Sequence, residues 1–450
     1  MLQLYIEYDG QKIDFQANGC VVKDGFFPET ASPGAQSVTD RFDLLIIQST
    51  TAALEEWIRS IERGFDYARK HRNGAQAAYL YFAMTEADDE WRARINDGQV
   101  FYDSTLTRRW REKKVSLGII VERAPYWDGP EAPVPLSNGN GTDLTDGIDV
   151  YNCNDGQYWG ITLYKAHNYV EIAEDVIQGD LPAPVRIEMT NQHDSINRLN
   201  NLWISHNVYA NPADLNPILE GEDAAYARGG VVTDSGTYSG GHSQSATWTG
   251  DTQQIIMRWE LSQELLTACA GQYFKILGRL SVAAGVRLQI KITFPQGVAL
   301  SVVDAGAEIT TSALGIQELG IVQIPPWLPG EADLAPVDLT LYARKVGGGA
   351  VGIDFLQLSP LDGYRILTPR GYGAAYTIRI VDDGINENIW TDGWTPSGKT
   401  GHYIGMGSQI KLMPENAQRL YFLQMGNTGD TLIDRLLSIK MAYRPRRRGL

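Results

Sequence analysis

Short segments in which apolar and polar residues alternate fill most of this chain of 450 residues. Gly, Asp, Asn and Pro separate the segments, and these residues favour turns. A period of two is typical of half-buried strands, and many short strands at this spacing predict sandwich or jelly-roll domains. The chain is therefore predicted to be mainly β. Clear examples are YVEI, VRIEM, LNNLWISHNVY, IIMRWEL, RLQIKITF and VDLTLYARK.

One segment near the N terminus has a helical period. Its apolar residues recur at spacings of three and four, which predicts an amphipathic helix from Thr51 to about Arg72. A preceding Ser or Thr hydroxyl is expected to cap it. Two strands joined at Asp9-Gly10, a dipeptide that favours tight hairpins, come before it, and further strands follow. The apolar face comprises Leu54, Trp57, Ile58, Ile61 and Phe65.

The length of the chain is too great for a single core, so several domains are expected. Prolines and glycines after Trp127 cannot occupy an inner strand and predict a joint. A sandwich inserted into a loop of another is preferred, and two sandwiches in succession is the alternative. The predicted units are an α+β domain at 1–128, a linker at 129–149, a sandwich at 150–220 plus 361–443, an inserted jelly roll at 221–360 and a basic tail at 444–450.

Charge and hydropathy exclude several classes of protein. A net charge of −15 argues against a nucleic-acid binder. No segment has the apolar length of a membrane span, and the first residues lack the pattern of a signal peptide, so folding in a cytoplasm is expected. The basic C-terminal RPRRRGL predicts either docking on an acidic neighbour or on nucleic acid, or a solvated tail.

Motifs for catalysis are missing from the sequence, and the chain is expected not to be an enzyme. Its six histidines have no metal-ligand spacing, and neither a nucleophile elbow nor a phosphate-binding loop is present. The acidic pair Asp382-Asp383 is interpreted as a turn. A calcium site and an ordinary run of turn residues are both open for Asp143, Asp146 and Asp149. No other cofactor is expected.

Two polar, glycine-rich segments carry aromatic residues that suit contact with a sugar. An exposed aromatic ring stacks on the apolar face of a sugar while neighbouring polar groups bond its hydroxyls. The alternative for each tryptophan is a place in a core, which the alternation around Trp259 predicts for that residue. The candidate residues are Trp390, Asp392, Trp394 and His402 in one segment, and Tyr238, His242 and Trp248 in the other.

The order of hairpin, strand, the helical LEEWIRSIERGFDYARK and the run GIIVERAPYWDGP resembles the N-terminal ring-forming domain of distal tail proteins of long-tailed bacteriophages. The segments PLSNGNGT, GDLPAPVRIEMTN and IKMAYRPRRRGL are similar to parts of prophage tail components. The segments TYSGGHSQSATW and GIDFLQLSPLDG are similar to parts of jelly-roll carbohydrate-binding modules.

This resemblance implies a structural virion protein, made in the host bacterial cytoplasm and located in the virion tail. A homo-oligomeric ring, commonly hexameric, would join the tail tube to the tip and contact other tail proteins, such as the hub or fibre. The sandwiches would project outward, where they could meet a host surface glycan. The alternatives are a non-viral glycan-binding protein and a glycoside hydrolase or esterase.

Overall fold

The fold is mainly β, as the alternating pattern predicts, and its strands form three bodies. All strand pairs within the five sheets are antiparallel in the part of the chain that the structure describes. The computed structural model describes residues 3–72, 76–85, 89–102, 113–138, 141–143, 147–153, 167–191, 199–208, 217–296, 299–311, 315–326, 336–370, 377–393, 402–426 and 435–450.

The N-terminal domain is a sheet with one helix packed on it. The sheet order is β2-β1-β5-β6-β7-β4-β3, and β8 pairs with β6. Asp9 (φ 48°) and Gly10 (φ 70°) both have positive φ in the predicted β1–β2 hairpin, as tight hairpin turns require. The elements are β1 Gln3–Tyr8, β2 Gln11–Asp14, β3 Cys20–Val22, β4 Val38–Ile47, α1 Thr51–Lys70, β5 Tyr79–Ala83, β6 Trp91–Tyr102, β7 Lys114–Arg123 and β8 Trp127–Asp128.

Helix α1 forms where the period of three and four predicts it. The Thr50 hydroxyl accepts a hydrogen bond from the Ala53 amide at 3.1 Å, which caps the helix as predicted. The buried face comprises Leu54, Ile58, Ile61, Gly64, Phe65 and Ala68, whereas Trp57 is only half-buried. A Cβ atom on Gly64 would lie 3.0 Å from the Tyr8 ring, so this glycine allows the helix to approach β1 closely.

The middle sandwich consists of two sheets from separate parts of the chain. Their orders are β11-β10-β13-β33-β15-β28-β31 and β12-β34-β14-β29-β30, with β32 on β14 and β9 on β34. The strands are β9 Ala132–Pro133, β10 Leu136–Asn138, β11 Gly141–Asp143, β12 Ile148–Val150, β13 Tyr169–Ile172, β14 Ala183–Asn191, β15 Leu199–Val208, β28 Tyr364–Arg370, β29 Thr377–Asp383, β30 Asn388–Gly393, β31 His402–Gly407, β32 Lys411–Leu412, β33 Gln418–Gly426 and β34 Leu437–Tyr443.

A second sandwich lies in the sequence between β15 and β28, which pair directly with each other through Leu202 and Leu367. Its sheets are β18-β19-β27-β21-β25 and β17-β20-β26-β22-β23, with β16 on β27 and β24 on β22. We call it the inserted sandwich. Its elements are β16 Ile218–Glu220, β17 Tyr226–Ala227, β18 Val231–Asp234, β19 His242–Trp248, β20 Gln254–Glu260, α2 Gln263–Ala268, β21 Tyr273–Val282, β22 Arg287–Gln296, β23 Ala299–Ala305, β24 Ile309–Thr310, β25 Gly315–Gln323, β26 Asp338–Arg344 and β27 Gly349–Pro360.

The two sandwiches share an apolar interface. Trp203, Tyr421 and Leu423 of the middle sandwich cluster with Leu277 and Phe355 of the inserted one, and all five side chains are buried. Burying such residues removes a large apolar area from water, which holds the two bodies together.

A carboxylate lies within this interface. Glu318 accepts hydrogen bonds from the Trp203 indole at 3.3 Å and from the Tyr364 hydroxyl, and it pairs with Lys275. Burial alone would raise the pKa of Glu318, but these donors lower it below its usual value. The Glu318 carboxylate is therefore held by three donors from the two bodies.

The chain returns to the N-terminal domain at its C terminus. Strand β35, Arg446–Arg447, pairs with Trp127–Asp128, so these two residues of the predicted basic tail at 444–450 are in a paired strand, which disagrees with the solvated-tail reading of this segment. The predicted linker at 129–149 is also wrong in part, because β9 to β12 belong to the middle sandwich. Pro133 is tolerated there because β9 is a two-residue strand with a single partner, β34.

Among the residues that the structure describes, no helix has both the length and the apolar character needed to cross a lipid bilayer.

Replacing Ile61 with Ala should lower the free energy of unfolding by about 2–5 kcal/mol, since this side chain is fully buried on the inward face of α1. Arg59→Ala, on the exposed face of the same helix, should change it by less than about 0.5 kcal/mol. Urea denaturation followed by circular dichroism measures both. Equal effects of the two substitutions would contradict this packing of the helix.

Candidate functional site

The predicted sugar-contact residues of the inserted sandwich, Tyr238, His242 and Trp248, separate into exposed and buried members. His242 is exposed, and its Nδ1 lies 2.9 Å from Oδ1 of Asp234 on the neighbouring strand. Tyr238 is half-buried. Trp248 is only 4% exposed and belongs to the core of the inserted sandwich, so its prediction as a sugar contact is wrong. The period of two places Trp248 on the same face of β19 as the buried Ala246, whereas Thr247 between them is exposed.

The loop that carries Tyr238 is fixed from below by a buried ion pair. Arg279 pairs with Asp354 and also donates to the Thr237 carbonyl at 3.0 Å. The Ser239 amide donates to Oδ1 of Asp354 at 2.9 Å. Burial raises the pKa of Asp354 to about 7, and Arg279 opposes this shift. The pair therefore holds the loop in one position on the inserted sandwich.

The second group lies at the edge of the middle sandwich. Trp390 is 37% exposed on the outward face of β30, and the Arg379 guanidinium lies 4.9 Å from the centre of its ring. Arg379 also bonds Glu188 at 3.3 Å. One face of the indole is therefore occupied by a cation. Asp392 lies in β30 and His402 in β31, but their side chains are outside the described residues, as is the whole of Trp394.

A cleft of about 470 Å³ lies between β30 and β31. Its lining includes Asn388 and Ile389 from one strand, Ile404 and Gly405 from the other, and Arg365. A Cβ atom on Gly405 would lie 2.6 Å from the Arg365 guanidinium, so glycine is needed for this close approach.

The carboxylate partner of Arg365 corrects a sequence interpretation. Asp382, interpreted as a turn residue, lies in β29, is 3% exposed and accepts a hydrogen bond from Nη2 of Arg365 at 2.6 Å. Burial raises its pKa, and Arg365 opposes this effect. The apolar alternation before Asp382 continues through it, which is the sequence signal that could have placed it inside the sheet.

The predicted calcium site stays a prediction, since Asp149 is the only one of its three residues whose side chain the structure describes. Asp149 is exposed on β12, and its backbone carbonyl accepts a hydrogen bond from the side-chain Nδ2 of Asn138 at 2.9 Å. The side chain of Asp143 and the whole of Asp146 lie outside the described residues. Among the residues that are described, no three His, Cys, Asp or Glu side chains form a group that could hold a metal ion.

The outward face of the N-terminal sheet carries exposed apolar side chains. Val21 pairs in register with Leu45, Ile47 follows two residues later on the same face, and Phe101 lies opposite Gly118. Val21, Ile47 and Phe101 are 51%, 50% and 42% exposed. We call these three side chains, together with that of Leu45, the N-terminal apolar face. The signal was the unbroken run LLII in β4, which places apolar residues on both faces of the sheet.

Comparisons with known proteins give partial likenesses. No protein-family model matches the chain. No curated protein sequence matches it. Similar solved structures include a baseplate of phage P2 in its activated conformation with Ca, at 9% identity over 79% of this chain and 98% of that chain, with a TM-score of 0.25.

Two further likenesses involve carbohydrate-active proteins. A GH26–CBM35 β-(1,4)-mannanase of Podospora anserina is 16% identical over 35% of this chain and 28% of its own, with a TM-score of 0.22. A carbohydrate-binding module of the β-sandwich superfamily is 12% identical over 51% of this chain and 97% of its own, with a TM-score of 0.21. These TM-scores are too low to assign a family or a function.

Replacing Arg279 with Met should lower the free energy of unfolding by about 3–5 kcal/mol, because it leaves the Asp354 carboxylate buried without its cation. The double variant Arg279→Met/Asp354→Asn should recover most of this loss. Urea denaturation of the single and double variants measures the difference. A single substitution that costs no more than a surface ion pair, about 1 kcal/mol, would contradict the role of the pair.

Proposed function

We propose that this protein is a structural component of a phage tail tip, a distal tail protein that forms a homo-oligomeric ring. In this proposal the N-terminal domain builds the ring, commonly six-fold, that joins the tail tube to the tip. The two sandwiches project outward, and other tail proteins such as the hub or fibre bind the assembly. The resemblance of the N-terminal sequence to ring-forming domains supports this reading.

The N-terminal apolar face is the observation that carries the proposal. Val21, Ile47 and Phe101 expose large apolar side chains on one side of a sheet whose other side is the domain core. Exposed apolar side chains on one face of a sheet favour a protein–protein contact. A second copy of the same domain is the simplest partner, since ring closure would cover one such face in every subunit.

The edges of the same sheet are compatible with self-association. Strands β2 and β3 are its outermost members in the described part of the chain, and β3 is only three residues long. An uncovered edge presents backbone donors and acceptors to any neighbouring chain. Contact between copies would satisfy these groups and remove the edge.

The double variant Val21→Glu/Ile47→Glu should abolish the ring, because two carboxylates would have to be buried in the contact between copies. Both side chains are about half exposed, so the subunit should still fold. Size-exclusion chromatography with light scattering should show an oligomer for the wild type and a monomer for the variant. Val346→Glu, at a position that is 85% exposed in the inserted sandwich, serves as the matched control and should remain oligomeric. A wild type that stays monomeric at its highest soluble concentration would overturn the ring.

We further propose that the middle sandwich contacts a host surface glycan through Trp390. The support is its partly exposed indole on the outward face of β30, flanked by Arg379, on the strand that also lines the cleft between β30 and β31. One indole face remains for a sugar ring, while neighbouring polar side chains are available for its hydroxyls. The same contact would serve the alternative function, a non-viral glycan-binding protein, which would bind glycan as a monomer.

Trp390→Ala should weaken binding to purified host-cell polysaccharide by about two- to thirteenfold, the range that an aromatic contact of about 0.5–1.5 kcal/mol predicts. Surface plasmon resonance measures this change. Tyr273→Ala removes an aromatic side chain that is 51% exposed on the inserted sandwich and should leave binding unchanged. Unaltered binding of the Trp390 variant would refute the assignment, and a lowered melting temperature would place the indole in the core instead.

A further inference from the structure

A cleft of about 270 Å³ lies at the joint between the N-terminal domain and the middle sandwich. Its apolar wall comes from Ala31, Pro125 and Tyr126 on one side and from Leu181 and Pro182 on the other. Three cationic side chains also line the cleft, namely those of Lys411, Arg446 and Arg448. The cleft therefore combines an apolar wall from two bodies with a cationic rim.

Two of the three cations have no carboxylate partner among the residues that the structure describes. Arg446 pairs with Asp128 at 2.7 Å and lies 3.7 Å from the centre of the Tyr126 ring. Within the described part of the chain, neither Lys411 nor Arg448 has a carboxylate within ion-pair distance of its side chain. The nearby Asp180 carboxylate accepts from the Arg448 amide, at 3.1 Å. The rim thus keeps two charges available to an outside group.

The cationic rim contrasts with the negative net charge of the whole chain. A protein with a net charge of −15 repels acidic partners over most of its surface, so the exposed Lys411 and the half-buried Arg448 at one cleft direct such a partner to that place. The volume of the cleft also limits the size of the ligand. A cleft of about 270 Å³ is smaller than the roughly 300–1,000 Å³ typical of small-molecule sites, and it suits one or two side chains of a peptide.

We propose that this cleft is a docking site for an acidic segment of a partner protein. Carboxylates of the segment bond Lys411 and Arg448, and its aliphatic stems pack between Pro182 and Tyr126. Because the cleft has one wall in each body, the bound segment contacts both the N-terminal domain and the middle sandwich. This assignment stands independently of the ring, since it uses neither the N-terminal apolar face nor Trp390.

A short fluorescein-labelled poly-glutamate peptide tests the site by fluorescence anisotropy on the full chain. Wild type should bind it, and added salt should weaken the binding through screening. The double variant Lys411→Gln/Arg448→Gln should weaken binding by about tenfold, since two exposed ion pairs of up to about 1 kcal/mol each are lost. Lys70→Gln, which removes an exposed cation at the end of α1, is the matched control and should bind as the wild type does.

Several results would overturn the proposal. They are a wild type that does not bind the peptide, a double variant that binds equally well, or a control that loses as much affinity. Displacement of the peptide by an equal concentration of inorganic phosphate would identify a general anion site instead. The melting temperatures of both variants should match the wild type, because the altered side chains lie at the surface; a lowered value would assign them a structural role.

Discussion

The return of the C-terminal strand to the last strand of the N-terminal domain is the contact on which the arrangement of the first two bodies depends. Strand β35 pairs with Trp127–Asp128, where the chain leaves the N-terminal domain, so the exit and the end of the chain meet at one place. Arg446 forms two hydrogen bonds with Asp128 and covers the Tyr126 ring, while Arg447 lies 4.9 Å from the centre of the Trp91 ring. The N-terminal domain and the middle sandwich are therefore connected twice, by the segment after β8 and by β35. Backbone pairing, an ion pair and cation–π contacts hold these two connections together, which restricts rotation between the two bodies more than a single connecting segment would.

The second junction depends on a different interaction. The inserted sandwich is held by an apolar cluster around Trp203 and Phe355, and the Glu318 carboxylate links the two bodies through Trp203 and Tyr364. Apolar burial is not directional, so the polar contacts are what select one orientation. With both junctions fixed, surfaces on three bodies keep set distances from one another, which suits a protein that displays contact sites around an assembly.

The proposed contact surfaces differ in chemistry, and so do their partners. The N-terminal apolar face suits a copy of the same chain, because self-association covers apolar area without requiring charge complementarity. The cationic cleft around Lys411 and Arg448 suits an acidic partner instead. Trp390 offers one aromatic face beside a cation. A scaffold can use all three together, since none of them shares a residue with another.

Local periodicity determined what could be read directly from the sequence. The alternation predicted the mainly β fold, the period of three and four placed α1, and Asp9-Gly10 marked a hairpin, because each depends only on the backbone geometry of neighbouring residues. Tertiary structure alone decided which aromatic residues reach the surface. Trp248 and Trp390 lie in similar polar segments, yet one is buried and the other partly exposed, because burial depends on which sheet packs against each strand. For the same reason the basic C terminus, which the sequence pattern left between a tail and a docking element, became a paired strand: its partner lies more than 300 residues away in the chain.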